Sequence, residues 1–320
     1  MTKQFATALK ILLSILLAVG IMFWVFRKID FDEFVAKAEA VNYFWVILPM
    51  IISLFGYVLR AYRWRLQLET VGYRPTLFRM FLAVMSGYLA NMLVPRIVEI
   101  TRCGALLRSD GVPLSTSFGT VITERIVDVL MLAIVCLLSV ALEYETIVAF
   151  VNTTVDFSVN WELILILGAV AVILGSFVFF KFIYPSQTKV GSFSREMIAG
   201  LLSLKDVRVG AYILTTLAIW VTYFLMSYLI FFALQETENL SWQVGLSVLT
   251  AGTVAFILPV QSGFGSFHAL VSAMLALYAV EQTTGVFFAT LLHGSQLLAV
   301  LVYGLAALMF SVLLTRKNAD

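Results

Sequence analysis

Six stretches of this chain, about residues 8–26, 43–60, 116–142, 161–184, 209–234 and 285–314, are predominantly apolar and long enough to cross a bilayer. A spanning helix needs about 20 such residues, and a soluble domain has no room to bury six of them. Composition agrees: 61% of residues are hydrophobic, 12% are charged and the mean hydropathy is +0.98. That charged fraction is about half the soluble average of roughly 25%. A cytosolic enzyme, a disordered chain and a disulfide-built secreted domain are therefore excluded. A membrane barrel is excluded too, because its strands run to about 10 residues and alternate in polarity. The expectation is an all-α polytopic membrane protein with a single transmembrane domain over residues 1–320 and no soluble domain.

The smaller signals fit this class. Lys3 and Lys10 precede the first apolar run, which ends in Trp24, Arg27 and Lys28 without a small-residue cleavage site. It reads as a first span rather than a removed signal peptide. Cys103 and Cys136 stand on different segments and lack metal-ligand spacing, so both are expected to be free and structural. A net charge of +2 gives no reason to expect a nucleic-acid partner. No cofactor is expected.

Charge placement orients the spans, because Lys and Arg mark the cytoplasmic side. The stretch 143–160 holds Glu143, Glu145 and Asp156 and no base, so it lies outside. The stretch 181–208 holds Lys181, Lys189, Arg195, Lys205 and Arg208, so it lies inside. Residues 235–242 carry Glu236 and Glu238 and no base, whereas Arg316 and Lys317 draw the C-terminus inside. Between Arg208 and Arg316 there is no Lys or Arg at all. Two further apolar stretches are interrupted: 77–95 by Gly87, Asn91 and Pro95, and 243–280 by the break Pro259 to Gly265.

Parity decides how these two must run. Arg60, Arg63, Arg65, Arg74 and Arg79 place 60–79 inside, and Arg96, Arg102 and Arg108 place 96–113 inside as well. The stretch 77–95 must therefore enter the membrane and return. By the same count 243–280 enters and returns from the opposite face. The reading is six full spans plus two re-entrant helical hairpins in an inverted-topology repeat, with halves at about 1–142 and 161–314 and both termini cytoplasmic. Secondary transporters use this architecture, with broken helices meeting near the midplane at the substrate site. Sequence likeness between the halves is confined to Gly87…Pro95 against Gly252…Pro259.

Ionisable groups inside a membrane are costly and are functional candidates by default. The first set is Asn91, Pro95, Arg96, Glu99 and Arg102. Arg96 and Arg102 could grip a phosphate or carboxylate in bidentate fashion. Glu99 and Arg102 stand i,i+3 and could equally pair with each other on a surface helix. The second set, Glu124, Arg125 and Asp128, lies two to three turns into the span 116–142. Glu124 and Asp128 share a face, and Arg125 can reach Asp128 at i,i+3. This set either fixes helix packing or lines a polar cavity, with Glu124 or Asp128 balancing Arg96 or Arg102. The third set is Gln261, Ser262, Gly263, Gly265, Ser266 and His268. Glycines permit unusual backbone there, the amides opening a helix near Ser266 would face an anion, and His268 could titrate, contact a headgroup or serve only packing. His293 stands in the last span beside Ser295 and Gln296. Arg60, Arg63, Trp64 and Arg65 fit an interfacial belt, with Arg snorkelling to phosphates and Trp at headgroup depth.

In these motifs the chain resembles the flippase-like transmembrane domain of lysylphosphatidylglycerol synthases and its stand-alone membrane relatives. The resemblance covers nearly the whole length. It rests on Arg60, Arg63 and Trp64; on Asn91, Pro95, Glu99 and Arg102; on Glu124, Arg125 and Asp128; and on Pro259, Gly263 and Gly265. Two positions depart from the family pattern: Val98 stands for Gly, and His268 for Glu. The synthases also carry a soluble aminoacyl-transfer domain. The present sequence ends at Asp320, and lipid aminoacylation is not expected of it.

The expected function is an integral membrane lipid translocator. It would move an anionic phospholipid, a glycolipid or a polyprenyl-phosphate-linked lipid between leaflets of an inner membrane. Arg96 and Arg102 would meet the headgroup phosphate, Glu99, Glu124 and Asp128 would balance them, and Gln261, Ser262, Gly263, Gly265 and His268 would form the opposite wall. The alternative is a non-transporting scaffold for a lipid-modifying glycosyltransferase partner. No nucleotide-phosphate loop, metal cluster or nucleophile elbow is present, so no enzyme activity is expected.

Overall fold

The structure is a computed structural model that describes residues 16, 19–27, 29–94, 97–146, 189–257 and 260–317. Among the described residues every regular element is helical. In chain order these are α1 (residues 19–26), α2 (Phe31–Ala40), α3 (Phe44–Thr70), α4 (Leu77–Leu93), α5 (Val98–Asp110) and α6 (Leu114–Leu142). Then follow α7 (Lys189–Leu201), α8 (Val209–Tyr228), α9 (Trp242–Ala255), α10 (Ser266–Ala276) and α11 (Gln282–Lys317). A 3-10 segment, Leu229–Ala233, prolongs α8.

Among the described residues four helices are long and apolar enough to cross a membrane: Phe44–Thr70, Leu114–Leu142, Val209–Ala233 and Gln282–Leu313. The chain is thus a polytopic helical membrane protein, and these four coincide with four of the six expected spans. The expected span 161–184 lies outside the described residues, and only residues 16 and 19–26 of the first are described. One boundary differs: α3 runs to Thr70, ten residues past the expected end, because Arg60, Arg63 and Trp64 turn inward and keep the helix buried.

Helix faces are sorted for lipid rather than water. On α6, Ile122, Ile126, Val129, Ile134 and Leu137 are exposed, whereas Ser117, Thr120, Thr123 and Glu124 are buried. A water-facing helix would show the reverse. Small residues bring helices close, as expected in a bilayer. At the crossing of α6 and α7, a Cβ on Gly119 would lie 2.1 Å from the Met197 carbonyl oxygen.

Contacts between loops define two ends of the bundle. At one, Arg208 pairs with Glu69 at 3.1 Å, Thr70 Oγ1 donates to the Ser203 carbonyl at 3.1 Å and Ser115 donates to Glu196. At the other, Lys37 pairs with Glu236, the Asn42 amide donates to the Ala233 carbonyl at 3.1 Å and the Tyr278 hydroxyl donates to Glu143 at 3.4 Å. The helices α3, α6, α8 and α11 each run from one end toward the other.

The two interrupted stretches form hairpins. Limbs α4 and α5 pack side by side. Their open end is closed by Arg79, which donates to Asp110 at 3.1 Å and to the Ser109 carbonyl at 3.2 Å. Thr76 caps α4 by accepting from the Arg79 amide, and Gly111 ends α5 in the left-handed conformation at φ 67°. The second hairpin packs α9 on α10. Its open end lies at the opposite end of the bundle, where Tyr278 also meets Ser247 at 3.5 Å. Its tip holds the turn Gln261–Gly263, which touches α4 of the first hairpin.

A buried charge cluster as candidate functional site

Two polar stripes on apolar helices meet in the bundle. On α3, Arg60, Arg63, Trp64 and Gln67 recur every three or four residues and so share one face. On α6, Ser117, Thr120, Glu124 and Asp128 do the same. The helices are antiparallel, and the stripes match in register. Arg60 Nη2 lies 3.6 Å from Asp128. Arg63 Nη2 lies 2.7 Å from Asp128 and 3.5 Å from Glu124. Trp64 Nε1 donates to Thr120 Oγ1 at 2.9 Å. Next in register stand Gln67 and Ser117, both fully buried.

The first hairpin closes the cluster from a third side. Arg102 on α5 donates to Glu124 Oε2 at 2.6 Å, and its guanidinium lies 4.6 Å from the centre of the Trp64 ring. That ring face stabilises the cation where water is excluded. Arg60 donates to the Tyr223 hydroxyl of α8, and its guanidinium lies 5.7 Å from the Tyr88 ring of α4. Glu124 and Arg63 are wholly buried, and Arg60 and Arg102 nearly so.

The cluster is unbalanced. Among the described residues three guanidiniums face two carboxylates, which leaves one formal positive charge in the bundle interior. Its hydrogen bonding is also incomplete among the described residues. Arg60 Nε, Arg102 Nε and three nitrogens of Arg63 lack hydrogen-bond partners, as do the amide of Gln67 and the hydroxyl of Ser117. The Arg63–Asp128 approach is an ion pair without hydrogen-bond alignment. Buried polar groups are normally satisfied, and each exception calls for a reason. Several convergent N–H donors with surplus positive charge can accept an oxyanion.

The candidate residues separate into two groups. Glu124, Asp128 and Arg102 are in the cluster. Glu99 and Arg125 form a pair at 2.8 Å on its more exposed flank. This corrects two expectations. Arg102 does not pair with Glu99 along its helix, and Arg125 does not turn to Asp128. Asn91 sits half-buried on the last turn of α4. Pro95, Arg96 and Pro259, and the side chain of Gln261, lie outside the described residues. Ser262, Gly263, Gly265 and His268 belong to the second hairpin, where His268 packs against His293 among phenylalanines.

The interfacial-belt reading of Arg60, Arg63 and Trp64 is overturned, because all three are buried. Only Arg65 behaves as a rim residue, pairing with Glu69 at 3.0 Å. Tyr223, Tyr88 and Gln67 are also cluster residues that the sequence did not single out. The available signal was periodicity: Arg60, Arg63 and Gln67 continue the α3 face that packs inward.

The family described as lysylphosphatidylglycerol synthase TM region matches residues 11–304. A UPF0104 membrane protein of Methanocaldococcus jannaschii is 27% identical over 120 residues, which is 36% of this chain and 36% of that protein. The match thus spans about a third of the length of that relative. No solved structure matches the chain.

Proposed function

This chain belongs to the family of lysylphosphatidylglycerol synthase TM regions, and from that premise we propose that it translocates lipids with anionic headgroups between leaflets. The candidates are an anionic phospholipid, a glycolipid or a polyprenyl-phosphate-linked lipid in an inner membrane, with both termini cytoplasmic. One observation carries the reading: a buried cluster with surplus guanidinium charge and unpaired donors, shared by α3, α5 and α6. A phosphate entering beside Arg60, Arg63 and Arg102 would supply acceptors to those donors, while Glu124 and Asp128 balance the arginines when no headgroup is present. Arg63, Arg102 and Glu124 are buried in the packed bundle, so a headgroup reaches them by movement of α5 relative to α6.

The proposed topology is six spans with two re-entrant hairpins related as an inverted repeat. Supporting it, the open ends of the hairpins lie at opposite ends of the bundle and the tip of the second touches the first. Alternating access then follows as rocking of one hairpin against the other. No catalytic step is assigned.

The test is reconstitution of the purified protein into liposomes containing a trace of headgroup- or tail-labelled phosphatidylglycerol, read by quenching of the outer leaflet. Translocation is expected with the wild type and reduced at least about tenfold by Arg102→Ala, the loss of about 1.4 kcal/mol of binding. Absence of translocation for every anionic lipid tried, together with no effect of Arg102→Ala in cells, would sink the reading. A stable co-purifying glycosyltransferase would then favour the scaffold role.

A further inference from the structure

The tip of the second hairpin encloses two imidazoles that the charge cluster does not use. His268 of α10 and His293 of α11 have ring centres 5.5 Å apart and are 3% and 2% exposed. Among the described residues, Nδ1 of His268 and Nε2 of His293 have no hydrogen-bond partner. Aromatic rings lie around the pair. Phe256, Phe264 and Phe267 lie 5.9, 5.2 and 5.0 Å from the His293 ring, and Phe26 of α1 lies 6.3 Å from His268.

The stretches that hold the pair carry no charged residue. Residues 242–280, which make up α9, the tip and α10, contain no Asp, Glu, Lys or Arg, and neither do residues 282–315 of α11. Residues 19–26 of α1 carry none either. On α4, which touches the tip, Arg79 is engaged at the far end by Asp110, and Tyr88 lies by Arg60. Of the remaining titratable groups on these helices, Tyr278 is bonded to Glu143 at the outer end and Tyr303 donates to the Met50 carbonyl.

The tip also holds unusual backbone. Ser262, Gly263 and Gly265 have φ of 47°, 75° and 82°. A serine at positive φ is uncommon, and a Cβ on Gly265 would lie 2.6 Å from Ile21 of α1. The packed tip therefore depends on close seating against α1.

The geometry points to His268 and His293 as a proton-binding site that couples the seating of this hairpin tip to external pH; the inference rests on the translocator reading and names its coupling ion. In the packed state both rings are buried and the stretches that hold them carry no carboxylate, and charging a buried group without a partner is costly. The aromatic faces offset only part of that cost. Once the tip lifts and hydrates, a proton from the outer aqueous phase adds to Nδ1 of His268 or Nε2 of His293. Linkage then requires acid to favour the lifted tip and alkali the packed one. Reseating expels the proton, so one cycle carries a proton into and out of the same element that contacts α4.

The experiment places an environment-sensitive fluorophore on Ser262→Cys in a Cys103→Ala, Cys136→Ala background, with the protein in liposomes. Emission is expected to shift to the red, reporting hydration, as pH falls from about 8 to about 5, spanning the ordinary histidine range. His268→Gln with His293→Gln is expected to abolish the shift, and each single variant to reduce it should the double variant fail to insert. An unchanged shift in the variants, or none in the histidine-containing protein, overturns the proposal. Lipid translocation is measured on the same liposomes, where a change of about threefold between pH 7.5 and 5.5 is expected. A titrating tip without translocation refutes the translocator reading and leaves the proton site standing. Translocation without a titrating tip does the opposite.

Discussion

Arg102 Nη2 and Glu124 Oε2 lie 2.6 Å apart, joining the second limb of a hairpin to a long apolar helix, with neither side chain more than 2% exposed. Glu124 also lies 3.5 Å from Arg63, so a single carboxylate links α5, α6 and α3. Buried ion pairs gain little over apolar packing, but removing one partner strands the other.

Glu124→Gln should therefore destabilise the protein by about 3–5 kcal/mol, because Arg102 and Arg63 both lose their nearest shared counter-charge. Replacing both Arg102 and Glu124 by Met should cost less than the two single replacements together. Thermal unfolding in detergent of the singles and the double provides the cycle, and simple additivity would mean that the pair is not coupled.

Trp64 and Thr120 make the one neutral rung of the same zipper, at 2.9 Å. A cycle of Trp64→Phe and Thr120→Val should return a coupling of about 1 kcal/mol, the usual net value of a hydrogen bond. Trp64→Ala, which opens a cavity beneath the Arg102 guanidinium, should cost about 3–5 kcal/mol.

Hairpin geometry makes a prediction about sidedness. Cysteines introduced singly at Arg74 and Arg108 should react with an impermeant reagent from the same side of the membrane, since the Arg79–Asp110 pair closes that hairpin. Cysteines at Trp242 and Glu281 should react from the opposite side. Labelling of positions 74 and 108 from different sides would make α4 a complete span and remove the inverted repeat.

At the other end of the bundle, Lys37 sits between Glu236 and Glu33, the latter at 3.2 Å. The hydrogen bond from Lys37 holds the Glu236 carboxyl below its ordinary value of 4.5. Burial alone would lower the Lys37 ammonium, but its bonds to Glu236 and Glu33 outweigh this and raise it above 10.5. The Glu236 contribution is fully present above pH 4.5 and is lost as pH falls through the depressed value. The Lys37 contribution is fully present below pH 10.5 and is lost as pH rises through the raised value. Glu236 is 46% exposed, so solvent screening keeps the total small. Lys37→Met should cost under about 1 kcal/mol between these limits, and less in high salt or near pH 3. Unfolding midpoints across pH and salt check this.

Much of the site was legible as periodicity. Glu124 and Asp128 share a face because they stand i,i+4 in an apolar helix, and hydrocarbon on the other face forces them inward. Arg60, Arg63 and Trp64 were misread for a physical reason. Arginines and a tryptophan at the end of an apolar run are also the composition of a headgroup belt. What draws them in is the stripe on α6, 56 residues away at the Trp64–Thr120 contact. The pairing of Glu99 was equally undecidable. A local i,i+3 pair contributes only about 0.2–0.5 kcal/mol, so neighbours on other helices override it. Arg102 accordingly turned to Glu124 and Glu99 to Arg125.

Residue order alone settles that this chain lives in a bilayer, where its long helices run, and that its few deep charges must meet other protein groups. Those conclusions follow from run lengths and the cost of charge in hydrocarbon, which are properties of each segment. Which arginine meets which carboxylate, and that the two histidines are buried together among phenylalanines, belong to the tertiary structure. Helical periodicity assigns a side chain to a face but never names the helix opposite, and packing α5, α6 and α3 around Glu124 supplied that partner.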